Sequence, residues 1–430
     1  MLGDTTSGGR HGRRALILVE NLSVPFDRRV WQECATLRDA GWEVHVVCPR
    51  GGKRDTEAEA VIDGIRIHRY PLRAATGGPA GYLREYGAAL WHTARLARKV
   101  GPVDVVHACN PPDLLFLPAL WLKRQGARFV FDQHDLVPEL YLSRFDRGKD
   151  LLYRGVCALE RMTYRAADVV IATNESYRDV AVRRGGKRPE DVFVVRSAPD
   201  TDRFRPVPPE PELKRGKPHL LCYLGVMGPQ DGVDYALRAL AALRDKVGRT
   251  DWHAVFVGAG DTFDAMVELS RRLGLADRVE FTGRVPDADL VRYLSTADVC
   301  LSPDPRNPLN DVSTMNKVLE YMVMGRPIVS FDLKEARVSA GEAALYTSAD
   351  DEGEFAELIA RLLDDPELRA RMGKAGQERV EGPLSWRNSQ TALLAAYEAA
   401  YGAARGAAAG AVRRGRPAGG RKRPGTGPRR

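Results

Sequence analysis

The segment DVSTMNKVLEYMVMGRPIVS, residues 311–330, joins a helix start to a cation and a carboxylate. Ser313 is a favourable N-cap residue. Gly325 can adopt the left-handed conformation that ends a helix, and Pro327 cannot continue one. The pattern therefore predicts a helix that begins at Ser313 and ends before Gly325.

The predicted helix has one polar and one apolar side. Ser313, Lys317 and Glu320 follow one another at helical spacing and therefore share one side. The opposite side is apolar, with Val318, Leu319, Met322 and Val323. Backbone N–H groups at a helix start can bind an anion, which assigns an anion site to Ser313, Thr314, Met315 and Asn316.

This polar side suits a sugar that is linked to a nucleoside diphosphate. The diphosphate would lie at the helix start beside the Lys317 ammonium, and the Glu320 carboxylate would accept hydrogen bonds from the ribose hydroxyls. An amphipathic helix with one surface salt bridge between Lys317 and Glu320 explains the same residues without a ligand. The surrounding sequence favours the nucleotide-binding interpretation.

Strand and helix patterns alternate from Arg14 onward, which is typical of a parallel sheet flanked by helices. Runs rich in β-branched residues predict strands at 15–20, 43–48, 104–108, 128–132, 168–173 and 192–196. Amphipathic stretches predict helices at 28–40, 83–100, 113–125, 150–166 and 175–184. These elements form one doubly wound α/β domain.

A proline-rich polar passage after residue 197 predicts an interdomain linker. A second series of strands follows at 219–224, 252–257, 278–281, 298–302, 327–330 and 343–346, and helices alternate with them. Ligands of such sheets lie beyond the carboxyl ends of the strands. Two such domains that face each other would therefore bind their substrates in a cleft between them.

Four segments resemble, in the same order, those of family 4 of the retaining nucleotide-sugar glycosyltransferases. They are NLSVPFDRRVWQ at 21–32, FDQHDLVPEL at 131–140, YLGVMGPQDG at 223–232 and the segment 311–330. The last is similar to the donor-site signature of a bacterial branch, S-x-x-x-K-x-x-E-Y-M followed by G-[KR]-P-[IV]-V. The resemblance covers roughly residues 15–401 and implies the GT-B fold, in which two Rossmann-like domains face a central cleft.

In the GT-B fold a last helix crosses back to the first domain, and this feature completes the predicted division of the chain. The predicted parts are a disordered start at 1–14, an acceptor-side domain at 15–200, a linker at 201–217, a donor domain at 218–385, the crossing helix at 386–401 and a disordered basic tail at 402–430.

The resemblance also implies roles for residues of the first domain. A matching histidine in family members contacts the transferred sugar, which assigns a catalytic role to His134, whereas a His134–Asp135 pair could also simply cap the next loop. Family members admit the acceptor at the first βα loop, which places Asn21, Asp27, Arg28 and Arg29 on the acceptor side. The three charged residues could equally form a charged first helical turn.

The chain departs from the family pattern at three positions. Family members direct an Arg and a Lys at the diphosphate from the loop after the first strand of the second domain, but Val226 and Asp231 stand there. Lys317 is then the best candidate for phosphate charge, and Arg337 and Arg306 are weaker ones. Val312 replaces the first Glu of the family's E-x7-E motif, which leaves Glu320 as the retained carboxylate.

Glycines that follow the predicted strands of the second domain are assigned to the donor. Gly225, Gly258 and Gly260 can permit close backbone approach, and Gly283, Arg284 and Val285 offer a backbone site for the base. Gly258 and Gly260 form half of a dinucleotide fingerprint. Because its third glycine is missing, an NAD enzyme is not expected.

The acidic residues do not form a suitable D-x-D pair for a cation. Asp200 and Asp202 lie in the predicted linker, and Asp287 and Asp289 open a predicted helix. Asp304 with Asn307 is the other oxygen-rich cluster, and it is mixed with prolines. We therefore expect neither a metal nor a cofactor, with a UDP- or GDP-linked sugar as the substrate.

The charge of +8 is matched by the last part of the tail, residues 413–430, where eight basic residues stand without acids: Arg413, Arg414, Arg416, Arg421, Lys422, Arg423, Arg429 and Arg430. The basic composition indicates that the tail either contacts an anionic membrane or is simply a solvated extension of the chain. No nucleic acid partner is expected, because the body is near neutral.

Six scattered cysteines lack metal-ligand spacing, and no apolar run approaches the roughly 20 residues of a membrane span. We expect a cytoplasmic protein, with at most peripheral contact at the inner face of the membrane.

These patterns predict a metal-independent glycosyltransferase that moves a hexose-type sugar from a nucleotide donor. Retention at the anomeric carbon and an acceptor from envelope polysaccharide, either a saccharide or a lipid-linked intermediate, are implied by the resemblance. Because fold does not fix function, an epimerase or hydrolase remains an alternative. A degenerate subunit that only binds a nucleotide sugar is another, suggested by the two missing cations.

Overall fold

The computed structural model describes residues 12–52, 55–72, 78–144, 148–199, 201, 203–348 and 351–414. The predicted disordered start therefore lies almost entirely outside the described residues, as does the end of the predicted basic tail.

The first domain is built on one eight-stranded sheet with the order β3-β4-β2-β1-β5-β6-β7-β8. The strands are β1 (Arg14–Leu18), β2 (Glu43–Pro49), β3 (Glu59–Ile62), β4 (Ile65–Tyr70), β5 (Val105–Cys109), β6 (Arg128–Gln133), β7 (Val169–Ala172) and β8 (Val192–Val194). The helices are α1 (Arg28–Asp39), α2 (Gly78–Val100), α3 (Phe116–Lys123), α4 (Val137–Arg144), α5 (Leu151–Ala166) and α6 (Glu175–Arg183). All strand pairs are parallel except β3 with β4.

The antiparallel pair was not predicted. Ile62 pairs with Ile65 across a two-residue turn. Asp63 and Gly64 occupy this turn, with φ values of +49° and +81°. Two successive residues with positive φ are typical of a hairpin turn whose twist matches that of the strands.

The second domain contains a parallel six-stranded sheet with the order β11-β10-β9-β12-β13-β14. The strands are β9 (His219–Leu224), β10 (Trp252–Val257), β11 (Val279–Gly283), β12 (Val299–Ser302), β13 (Ile328–Phe331) and β14 (Ala344–Thr347). The helices are α7 (Val233–Asp245), α8 (Phe263–Arg272), α9 (Asp287–Thr296), α10 (Asn316–Val323), α11 (Lys334–Ala340), α12 (Glu352–Asp364), α13 (Pro366–Glu381) and α14 (Trp386–Arg414). The predicted pair of doubly wound α/β domains is confirmed.

Short polar side chains fix where several of these helices begin. Asp27 accepts a hydrogen bond from the N–H of Val30 at the start of α1, and Asn174 accepts one from Tyr177 at the start of α6. A side-chain oxygen at this position satisfies an N–H group that has no partner within the helix. Such caps hold the helix starts at the carboxyl ends of the strands.

Helix α14 packs on the first domain although it follows the second. Leu393, Ala396 and Tyr397 join the apolar core between α1 and the first sheet. Trp42 meets Tyr397 edge-on, with 5.1 Å between the ring centroids. The helix continues to Arg414, beyond the predicted end at Tyr401. The predicted disordered tail at 402–430 is therefore helical in its first part.

None of the helices among the described residues has the length and apolar character that crossing a membrane requires.

Candidate functional site: a cleft between two α/β domains

The two domains touch through residues that follow the carboxyl ends of their strands. Arg28, at the start of α1, donates a hydrogen bond to Glu320 on α10 at 2.8 Å. Tyr177, on α6, lies 2.9 Å from the hydroxyl of Ser313. Parallel α/β sheets bind ligands at this edge, so the segment with the signature lies where a substrate is expected.

The signature segment begins with a short turn rather than with the predicted helix. Residues Asn310–Val312 form a 3-10 turn, and α10 starts only at Asn316, with Met315 as the N-cap residue. The Ser313 hydroxyl donates to the carbonyl of Leu309 at 2.7 Å. The predicted N-cap role of Ser313 is therefore wrong, because its hydroxyl is used by the preceding turn and by Tyr177.

This turn is attached to the first domain. The Asn174 amide donates to the carbonyl of Val312 at 2.9 Å and to the hydroxyl of Thr314 at 3.0 Å. Leu309 belongs to the apolar core of the first domain, and Val312 packs against that core. Val312, where family members carry a carboxylate, thus helps to hold the two domains together.

Lys317 lies beside the loop that follows β9. Its ammonium is 2.6 Å from the Asp304 carboxylate and 5.0 Å from the centroid of the Tyr223 ring. The Lys317 side chain is only 8% exposed. Burial opposes the charged form, yet the Asp304 carboxylate raises the pKa of Lys317 above its ordinary value. Lys317 is therefore a cation whose charge is already compensated.

A second carboxylate lies near this pair. Asp231 accepts a hydrogen bond from the N–H of Gly228 at 2.9 Å. Burial, assisted by the charge of Asp304, raises the pKa of Asp231 to about 6, and Lys317 acts in the opposite direction. The position at which family members carry a phosphate-binding lysine is therefore acidic in both sequence and structure.

Glu320 is the retained carboxylate of the signature. Burial raises the pKa of Glu320, while the positive charges of Arg28 and Arg203 oppose that shift. Lys317 and Glu320 do not pair with each other, since Asp304 and Arg28 are their partners. The simple surface salt bridge that the sequence left open is therefore wrong.

The glycines assigned to the donor bring two loops of the protein into contact. A Cβ at Gly258 would lie 1.8 Å from the carbonyl oxygen of Gly225, and one at Gly260 would lie 2.5 Å from that of Met227. The loops after β9 and β10 thus pack so closely that a side chain at Gly258 or Gly260 would clash with the neighbouring backbone. Their contact with a donor stays a prediction.

The segment assigned to the base lies at the end of β11. Gly283 adopts a φ of +67°, and its carbonyl accepts from the N–H of Gly258 at 2.9 Å. Arg284 is exposed, and Val285 packs against the core of the second domain. The segment therefore borders the glycine loops, and base recognition stays a prediction. Asn316, also assigned to the donor, is exposed at the start of α10.

His134 follows β6 and is held by a buried acid that the sequence analysis did not name. Its Nε2 lies 2.5 Å from the Asp132 carboxylate. Its backbone N–H donates to the side-chain oxygen of Asn110 at 2.7 Å. Burial lowers the pKa of His134 and Asp132 raises it, and the net shift is upward. The N–H of Asp135 also donates to Asn110, so Asp132 rather than Asp135 is the partner of the His134 ring.

Arg29 connects this histidine to α1. Its guanidinium lies 2.9 Å from Asp132 and 3.2 Å from Glu33, and the Arg29 side chain is 9% exposed. Burial and the Asp132 charge raise the pKa of Glu33 to about 8. Arg29 is therefore buried against the acids beside His134 and does not face an acceptor as predicted. Asp27 caps α1, whereas Asn21 is exposed.

The same cluster contains two groups of possible metal ligands among the described residues. His107, Cys109 and Asp132 form one, and Glu33, Asp132 and His134 form the other. These groups were not foreseen, because their members come from different elements. The Arg29 guanidinium lies beside Asp132 and Glu33 and supplies positive charge to the cluster. The expected absence of a metal stays a prediction.

The sequence patterns do not point to Asp132 or Asn174, and they indicate Asp304 only as a member of an oxygen-rich cluster, not as the partner of Lys317. Asp132 could have been found, because side chains two residues apart along a strand share one face, and Asp132 precedes His134 by two. Asp304 and Asn174 are partners of distant residues, and no local spacing relates them to the signature.

Two family descriptions match the chain. "Glycosyl transferase 4-like domain" matches residues 27–198, and "Glycosyl transferases group 1" matches residues 218–365. An alpha-D-kanosaminyltransferase from Streptomyces kanamyceticus is 28% identical over 335 residues, which cover 72% of this chain and 83% of that protein.

Solved structures show the same fold. Sucrose-phosphate synthase from Thermosynechococcus elongatus superposes with a TM-score of 0.71 at 18% identity, over 91% of this chain and 100% of that one. The Anabaena protein HepE in complex with UDP-glucose gives a TM-score of 0.64 at 16% identity, over 89% and 98% of the two chains. The two facing domains are thus a GT-B fold.

The fold and the matched domains define an enzyme of the nucleotide-sugar transferase class. The chain belongs to the family 4, or group 1, glycosyltransferases. The predicted membership of family 4 is thereby confirmed, whereas the branch signature and retention stay predictions.

Proposed function

We propose that this glycosyltransferase moves a hexose-type sugar from a UDP- or GDP-linked donor to a saccharide or lipid-linked acceptor of the cell envelope, with retention and without a metal. The observation that carries the proposal is the position of Glu320. This carboxylate lies at the domain interface, 2.8 Å from a cation of the opposite domain.

In this proposal α10 and the loops beside it bind the donor. Glu320 accepts hydrogen bonds from the ribose hydroxyls, and the start of α10 with Lys317 binds the diphosphate. Negative charge grows on the leaving diphosphate as the anomeric bond breaks, and fixed positive groups stabilise that charge. Lys317 is fixed in this sense, because Asp304 and the Tyr223 ring hold its ammonium.

His134 contacts the transferred sugar in this proposal. Asp132 accepts from its Nε2 and thereby orients the ring, leaving Nδ1 for another partner. Asp132 itself is fully buried, which does not suit a nucleophile that must reach the anomeric carbon. A reaction on one face of the sugar, in which the leaving phosphate accepts the acceptor proton, needs no such nucleophile.

Metal independence is supported by the partners of the acids beside α10. Asp304 is bound to Lys317, and Asp231 accepts from a backbone N–H and interacts with the same ammonium. A metal-dependent transferase holds its cation on free carboxylates at the diphosphate. Here the two carboxylates stabilise a protein cation instead.

Peripheral contact with an anionic membrane is supported by the outer side of α5. Three large apolar side chains are exposed there, namely Leu151, Leu152 and Met162, and Leu151 is 80% exposed. Three exposed arginines accompany them on the same helix, at positions Arg154, Arg161 and Arg165. Apolar side chains combined with arginines suit the headgroup region of an anionic bilayer, where a lipid-linked acceptor would be presented.

The test is a screen of nucleotide sugars by thermal shift, followed by transfer from the stabilising donor. A bound donor raises the melting temperature by mass action. We expect radiolabelled sugar to move to envelope lipid or saccharide only when that acceptor is present. Donor consumption without acceptor would contradict transfer and indicate an epimerase or hydrolase, and binding without turnover would indicate a degenerate subunit.

A further inference from the structure

Helix α10 and the loop after β9, residues 225–232, together contain one basic residue, Lys317. Lys317 is bound to Asp304 and also interacts with Asp231. Glu320 adds a further carboxyl group on α10. One ammonium thus stands against several acids before a donor arrives, and the donor brings additional negative charge. Another cation is needed.

The first domain offers two arginines at the start of α1, and they have different surroundings. Arg29 is committed to Asp132, Glu33 and the carbonyl of Val195. Arg28 reaches across the cleft to Glu320, and its side chain remains 40% exposed. Its guanidinium also lies 5.4 Å from the centroid of the Phe204 ring. Arg28 is therefore the accessible cation of the pair.

We propose that Arg28 binds the diphosphate of the donor and supplies, from the opposite domain, the positive charge that the loop after β9 lacks. The inference rests on the proposed function and deepens it by adding a catalytic residue. When Glu320 accepts from the ribose hydroxyls, its bond to Arg28 must rearrange. A guanidinium has five N–H donors in a planar fork, so it can turn toward a phosphate oxygen close by.

Two other roles for Arg28 are distinguishable. As a latch, Arg28 would occupy the ribose site and oppose donor binding. As the acceptor-side residue predicted from the sequence, it would contact the acceptor and leave the donor unaffected. The three roles differ in how removal of the guanidinium changes the affinity for a nucleoside diphosphate.

The experiment measures binding of UDP, GDP and the corresponding nucleosides by calorimetry to the full chain and to Arg28→Ala and Arg28→Lys variants. Arg272→Ala, which removes an exposed arginine on α8, serves as the charge-matched control. We expect Arg28→Ala to lose about 10- to 100-fold in affinity for the diphosphate but not for the nucleoside. The lysine variant should recover part of the loss, because it keeps the charge without the fork.

Tighter diphosphate binding by Arg28→Ala would overturn the proposal in favour of a latch. Unchanged diphosphate affinity with a raised KM for the acceptor would overturn it in favour of acceptor binding. If the unaltered protein binds neither UDP nor GDP, the proposed function itself fails, and this result is distinct from any behaviour of the variants.

Discussion

Each charged residue of helix α10, Lys317 and Glu320, forms an ion pair with a residue of opposite charge. Lys317 lies against Asp304, and Glu320 lies against Arg28. Removing one member of a buried pair leaves the other uncompensated, which is costly. Substitutions at this site therefore alter both stability and chemistry, and the two effects must be measured separately.

Lys317→Met should reduce kcat more than donor affinity, because the leaving-group charge develops during the reaction. The loss of one such contact costs about 3 kcal/mol of transition-state stabilisation. The unpaired Asp304 should also lower the melting temperature. In the double variant with Asp304→Asn, we expect the melting temperature to recover but not the turnover. Recovery of both would leave Lys317 with a structural role only.

Glu320→Gln should weaken donor binding, because the proposed ribose contacts would be made in the ground state and the transition state alike. Calorimetry with a nucleoside diphosphate and its 2′,3′-dideoxy analogue isolates this effect. The unaltered protein should bind the dideoxy compound more weakly, and Glu320→Gln should bind both equally. A variant that still prefers the ribose form would remove Glu320 from the proposed site.

Glu33 should make the protein less stable as the pH rises. Burial beside Asp132 raises the pKa of Glu33 to about 8. Between its ordinary value of 4.5 and about 8, the folded state therefore holds a proton that the unfolded state has released. Stability must then fall with rising pH in this window, by about 1.4 kcal/mol for each unit of pKa difference.

The measurement is urea unfolding of Glu33→Gln and the unaltered protein from pH 5 to pH 8. The Gln variant should show a smaller decline, although His134, whose pKa is also raised, contributes a decline of the same sign. Identical slopes for the two proteins would show that Glu33 has an ordinary pKa.

Among the elements, the parallel strands could be predicted, because buried strands of a doubly wound sheet are continuous apolar runs. The hairpin of β3 and β4 was overlooked although Asp63 and Gly64 are a typical turn pair. The predicted start of α10 at Ser313 is wrong, although serine is a favourable N-cap residue, because the helix begins at Asn316. The Ser313 hydroxyl bonds with Leu309 and Tyr177 instead, and Tyr177 belongs to the other domain.

Helix α14 changes where the tail should be cut. Because the helix extends to Arg414, removal of residues 415–430 leaves it intact, whereas a cut after Tyr401 would shorten it. We expect the shorter protein to retain transfer to a soluble acceptor. Sedimentation with anionic vesicles should weaken if the removed basic residues bind lipid, each contributing about 1 kcal/mol near the surface.

A variant of α5 tests the proposed contact of this helix with a membrane, independently of the tail. Leu151→Ser with Met162→Ser should reduce sedimentation with the same vesicles, since both side chains are exposed and apolar. Raised salt should weaken the basic contribution more than the apolar one. If neither the truncation nor the α5 variant alters sedimentation, the proposal of membrane contact is wrong.

At the scale of the whole molecule, several contacts link the two domains. Asn174 and Tyr177 bind the turn before α10, Arg28 binds Glu320, and α14 packs on the first sheet. The sequence indicated two domains and their cleft, because strand and helix periods are local. It did not indicate these links, since each joins residues far apart in the chain.

We propose that this enzyme transfers its sugar with retention and without a metal. The most direct test of this proposal is the product formed from an α-linked nucleotide sugar in the presence of EDTA, with the anomeric configuration read by NMR. We predict undiminished turnover and an α-linked product. Activity that EDTA abolishes and Mg²⁺ or Mn²⁺ restores would show that the enzyme needs a metal, and a β-linked product would show inversion.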